Sequence, residues 1–104
     1  MGVVYNKLVR DRIPQIIEAS GRACTTRILS DDEYLRMLEA KLDEELAEFH
    51  KDRTLEELAD LMEVIFALAD ARGCPPEELE RIRARKAGAR GGFGGRIFLK
   101  EVSE

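Results

Sequence analysis

Two capping signatures fix most of what this chain can become. Ser30 with Glu33, and Thr54 with Glu57, each match the S/T-x-x-E pattern. In that pattern a hydroxyl and a glutamate satisfy orphan amides at the start of a helix. Behind the first box come Leu35, Leu38, Leu42 and Phe49; behind the second, Leu58, Leu61 and Ile65. Apolar residues at steps of three and four predict two long amphipathic helices, one to about His50 and one to about Arg72. Only a short turn near residues 52 and 53 separates them. An antiparallel helical hairpin is therefore the expected core.

The remaining segments fit around that hairpin. In "RDRIPQIIEASG" Asp11 is the expected cap, Pro14 sits in the first turn and Gly21 ends the helix. Ile13, Ile16 and Ile17 give that helix its buried side. "RGCPPEEL" stops the second long helix and opens a further one, with Pro75 suited to the first helical position and an end at about Lys86. "CTTRIL" and "RIFLKEV" read as short extended runs that could pair. The expected fold is mainly α, a helix bundle around the hairpin with a small two-stranded β ribbon, in one domain over residues 1–104.

A chain of 104 residues buries only roughly 60–70% of its unfolded surface, so self-association is the expected supplement. No apolar run approaches the roughly 18 residues that cross a bilayer, and "MGVVYNKLVRDR" lacks a signal-peptide core. The expected setting is the cytosol, with no membrane partner. Cys24 and Cys74 have no metal-ligand spacing and read as reduced thiols; His50 is the single histidine, so zinc and Ser-His chemistry find little support.

The net charge of −4 conceals a segregation. Residues 31–63 carry thirteen acids against Arg36, Lys41, Lys51 and Arg53, a net of −9, while residues 81–100 carry seven bases and no acid. Such asymmetry suits a charged ligand or partner.

The acids fall in a pattern of their own. Continuing the apolar seam of the first long helix from Leu38 and Leu42 leads to Glu45, a carboxylate where burial disfavours charge. Glu48 lies three residues on; Glu57 and Asp60 are likewise three apart in the next helix. Across an antiparallel hairpin the pairs Glu45/Asp60 and Glu48/Glu57 have equal index sums, so they lie at two matched levels about 4.5 Å apart along the axis. Helices pack at roughly 8–10 Å, a gap that facing carboxylates close on one cation. All-oxygen donors suit hard Mg²⁺ or Mn²⁺. The competing reading is a wet acidic face, with Glu57 merely completing the Thr54 box.

"RIRARKAGARGGFGGR" contains no Walker A lysine and does not lie between a strand and a helix, so neither nucleotide fingerprint fits. Its glycines beside Lys86, Arg90 and Arg96 offer a phosphate clamp, and equally a solvated basic helix end. Nucleic-acid binding through residues 81–100 is disfavoured by the large acidic patch.

Together these residues resemble a known family. "EELAE" at 44–48 followed by "ELAD" at 57–60 looks like the EExxE…ExxD signature of the MazG-like, all-α nucleoside triphosphate pyrophosphatases. "YNKLVRDRIPQII", "TTRILSDDEYLRML", "KLDEELAEF", "EELADLMEVIFAL" and "RGGF" resemble, in order, blocks of its phosphoribosyl-ATP pyrophosphohydrolase-like branch. The eight residues 49–56 between the two acidic motifs are fewer than in many MazG proteins.

The resemblance implies a Mg²⁺-dependent enzyme, working as a homodimer or homotetramer. It would split a nucleoside triphosphate into monophosphate and pyrophosphate, with nucleotide-pool house-cleaning as a common role. Glu45, Glu48, Glu57 and Asp60 match the metal-binding acids. Glu44 is the candidate general base, and Lys7, Arg10, Lys86 and Arg90 are the candidate triphosphate contacts. The alternatives are phosphoribosyl-ATP pyrophosphohydrolase itself and a non-catalytic helical oligomerisation module.

Overall fold

In the computed structural model, described over residues 2–103, four helices follow one another: α1 (Ile13–Ala19), α2 (Asp31–Asp52), α3 (Leu55–Ala71) and α4 (Pro76–Arg90). The two capping residues start α2 and α3 as their sequence predicts. At α2 the box is complete. Ser30 Oγ accepts from the Glu33 amide at 3.3 Å, and Glu33 Oε1 accepts from the Ser30 amide at 3.2 Å. Arg27 adds a two-pronged contact to the same carboxylate, at 2.8 and 3.2 Å. The pairing with Arg27 and the Ser30 donors hold the Glu33 carboxyl down at about 2.

Between α2 and α3 the chain reverses within two residues. Arg53 adopts the left-handed conformation (φ 53°, ψ 37°), its amide donates to the Phe49 carbonyl at 2.7 Å, and Thr54 then caps α3. A turn this short makes the helices antiparallel neighbours. The inward seam of α2 runs Leu35, Leu38, Leu42, Glu45 and Phe49, all buried or half-buried. That of α3 runs Glu57, Asp60, Leu61, Val64 and Leu68. The hairpin is thus apolar at the end remote from the turn and acidic near it. Leu38 and Val64, 3% and 7% exposed, are the buried apolar core among the described residues.

The outer elements are looser. α1 begins after Arg12 rather than at an Asp11 cap, and no side chain caps it. Ile13 and Ile17 are half-buried, whereas Ile16 is exposed. α4 packs on α3, starts one residue later than its prolines suggest, with Pro75 as cap and Pro76 inside, and continues past Lys86 to Arg90. Gly91, at φ 81°, then turns the chain out of the helix, a conformation that costs glycine little.

The β ribbon does not form: no strand occurs among the described residues. A two-stranded ribbon is marginal without a packed face. Here Ile28 and Ile97, one from each candidate run, are 95% and 91% exposed. No helix among the described residues is long and apolar enough to cross a membrane. Both cysteines are free thiols.

Candidate metal centre

The acidic end of the hairpin is built by helix periodicity. On α2 Glu45, Glu48 and Asp52 follow at steps of three and four; on α3 Glu57 and Asp60 are one turn apart. These five acids form two overlapping trios. Carboxylate oxygens of Glu45, Glu57 and Asp60 lie within 4.8 Å of one another, as do those of Glu48, Asp52 and Glu57. Glu57 is the shared member. The four acids singled out from the sequence are therefore brought together, and Asp52 joins them.

Glu57 does not complete the Thr54 box as the second sequence reading of it expected. Its amide donates to Thr54 Oγ1 at 3.3 Å, so Thr54 caps the helix. The return bond that Glu33 makes at α2 has no counterpart here: the Glu57 carboxylate turns to the other acids instead. Among the described residues, its Oε2 is the buried side-chain oxygen without a hydrogen-bond partner. Removal from water, and then the charges of Asp60, Glu45, Glu48 and Asp52, push the Glu57 carboxyl up from its ordinary value. A buried carboxylate oxygen facing four like charges, with no donor, is what a cation site presents when judged by its own chain. The donor set is entirely oxygen, so it fits Mg²⁺ or Mn²⁺ and not a thiolate- or imidazole-loving metal.

Bases reach the cluster from two directions. Arg10, in the segment before α1, places Nη2 2.6 Å from Asp60 Oδ1. Lys41, on α2, places Nζ 3.3 Å from Glu44 Oε1 and 3.4 Å from Glu45 Oε1. Lys7 lies 3.7 Å from the same Glu44 oxygen. Glu44 thus stands beside the cluster, in neither trio, with two lysines on one of its oxygens. Lys86 and Arg90 are exposed on α4 and make no ion pair with these acids among the described residues. Lys7 also lines a cleft of about 340 Å³ together with Arg27, Arg36 and Glu33, between the N-terminal segment and the start of α2.

Two contributors were outside the sequence reading. Asp52 follows Glu48 by four residues, so extending the acid stripe one turn would have found it. Lys41 precedes Glu45 by four, the ordinary helical ion-pair spacing.

No protein-family model matches the chain, and no solved structure matches it. Over 42 residues it is 67% identical to an uncharacterized protein of Mycolicibacterium smegmatis, a match spanning 40% of this chain and 43% of that protein.

Proposed function

We propose that the chain is a Mg²⁺-dependent nucleoside triphosphate pyrophosphohydrolase of the MazG-like kind, acting in the cytosol, with Mn²⁺ able to replace Mg²⁺. Water would add at the α-phosphorus and pyrophosphate would leave, giving the nucleoside monophosphate. The observation that carries this reading is Glu57: a buried, unpartnered carboxylate oxygen at the junction of two acid trios. The order of the "EELAE", "ELAD" and flanking blocks supports the same reading.

Glu45, Glu57 and Asp60 would hold the cation on one side, with Glu48 and Asp52 completing the ring of donors. The bound ion would neutralise phosphate oxygens and lower the pKa of an attacking water. The chain's own residues do the rest. Lys7 and Arg10 approach the acids from outside the hairpin and are placed to meet a triphosphate drawn there; Lys86 and Arg90 are assigned to phosphate contacts from α4. Lys41 donates to one Glu44 oxygen, and the other is the proposed acceptor of the water's proton.

Assembly belongs to the same proposal. The chain exposes 9552 Å², against roughly 5,900 Å² for a compact monomer of its mass. Its radius of gyration is 18.4 Å, where about 13 Å is usual for this length. A homodimer or homotetramer that covers the helix faces accounts for both.

Incubation with Mg²⁺ and a panel of ordinary triphosphates, modified triphosphates and phosphoribosyl-ATP tests the activity. Pyrophosphate and monophosphate should appear, and should vanish in Glu45→Gln and Asp60→Asn. Turnover of phosphoribosyl-ATP alone would transfer the assignment to the histidine-pathway reaction. Release of single phosphate would refute cleavage between the α and β phosphates.

A further inference from the structure

The contact between Arg10 and Asp60 has no local cause. The two residues are fifty positions apart, and Arg10 lies in irregular chain ahead of α1. Residues 2–9 make no backbone–backbone hydrogen bond among the described residues. The ion pairs made by residues 2–12 are both to the acidic hairpin: Lys7 to Glu44 and Arg10 to Asp60. Nothing in helix periodicity requires either.

Asp60 also belongs to the trio with Glu45 and Glu57, whose oxygens lie within 4.8 Å of one another. Four or five acids this close need counter-charge in the metal-free chain. Lys41 supplies it to Glu45, and Arg10 supplies it to Asp60 at 2.6 Å, through one guanidinium nitrogen on one carboxylate oxygen. Glu57 receives none. A divalent cation drawn to Glu57 would need the Asp60 oxygen that Arg10 holds. The Arg10 side chain is 56% exposed, so it has room to swing away.

We propose that Arg10 is the resident counter-ion of the acid cluster, which a divalent cation displaces from Asp60 on binding. Metal uptake then loosens the N-terminal segment and frees a guanidinium beside the newly bound cation, where a phosphate can take it up. The inference rests on the metal reading above and adds a competition to it.

Titration of Mn²⁺ into the full chain by calorimetry, without nucleotide, separates the two claims. The variants are Arg10→Ala, Arg12→Ala and Glu57→Gln. Arg12 is an exposed neighbour with no ion pair among the described residues, so its loss reports the change in overall charge alone. Competition from an exposed ion pair is worth at most about fivefold. Arg10→Ala should therefore bind Mn²⁺ roughly two- to fivefold tighter than Arg12→Ala, with binding lost in Glu57→Gln. Equal affinity in the two arginine variants, or weaker binding in Arg10→Ala, overturns the competition while leaving the metal site intact. Absence of Mn²⁺ binding in wild type and Arg10→Ala alike overturns both. A ¹⁵N resonance from the Arg10 Nε–H group that shifts as Mg²⁺ saturates the wild type would agree with displacement; one that stays fixed would contradict it.

Discussion

Glu57 faces opposing demands in the metal-free chain. Its position in the first turn of α3, opposite the last turns of α2, takes Oε2 out of water, while Asp60, Glu45, Glu48 and Asp52 surround it with like charge. A carboxyl raised above its ordinary value holds its proton more tightly folded than unfolded. Its contribution therefore favours the fold at low pH and turns against it as pH rises through the raised value. Glu57→Gln removes that opposition at neutral pH. The variant should melt at a higher temperature than wild type in the presence of a chelator. It should also lose Mn²⁺ affinity by more than the roughly 10–100-fold typical of residues that only support a ligand. Scanning calorimetry with chelator and titration with Mn²⁺ check the two signs. A ligand acid and a structural acid differ here: a purely structural Glu57 would lose stability on the same substitution. This residue's place among the clustered acids was legible in sequence, because Glu45 interrupts an apolar seam and Glu57 faces it across a short turn. Asp52 was harder to see. It stands beside the turn, where an acid has an ordinary explanation, and only the continuation of α2 through it aligns it with Glu48.

At the scale of elements, the ends of α2 behave differently and predict different things. Its start is over-determined: Ser30, Glu33 and Arg27 close a network that pins the helix and the chain before it. Glu33 titrates at about 2 in the fold against an ordinary value of 4.5. A depressed carboxyl contributes stability that is complete above its unfolded value and is lost as pH falls through the folded one. Wild type should therefore lose this contribution between about pH 4.5 and 2, and Glu33→Gln should flatten that part of the stability–pH curve. Ser30→Ala, removing the cap alone, should cost about 1 kcal/mol in urea denaturation at neutral pH. The other end of α2 is strained. Arg53 takes a left-handed conformation that costs a residue with a Cβ about 1–2 kcal/mol. Arg53→Gly should raise the urea midpoint, with a gain in unfolding free energy of up to about 1 kcal/mol once glycine's entropic cost is set against the relief. Arg53→Val should lower it. The caps were legible because they depend on residues three apart. The ribbon was misread because pairing between residues 24–29 and 96–102 depends on a packed face that no local pattern reveals.

At the scale of the whole molecule, α3 carries two stripes. One is the seam against α2. The other is Leu55, Leu58, Met62 and Ile65, again at steps of three and four, and each of its members is at least 40% exposed. A helix with apolar residues on more than one face is a helix with more than one neighbour. α4 covers part of α3, yet this second stripe stays open. Leu38 and Val64 are the buried apolar residues among those described, and the proposed assembly would add apolar burial to what one chain achieves. The excess over a compact monomer is roughly 3,600 Å² per chain, so a dimer hiding half of it on each chain would bury roughly 3,600 Å² in all, within the range of obligate interfaces. The proposed assembly should then make folding depend on concentration: the melting temperature of wild type should rise as the chain is concentrated, since a folded chain that needs its partner is stabilised by mass action. Met62→Lys places a charge in the middle of the open stripe. It should shift the species measured by light scattering to a smaller one and lower the melting temperature, while Lys100→Ala on the exposed C-terminal segment should leave both unchanged. If Met62→Lys leaves the mass and the melting behaviour of wild type intact, the stripe is not the contact. If wild type is itself a monomer whose melting is independent of concentration, the assembly fails with it.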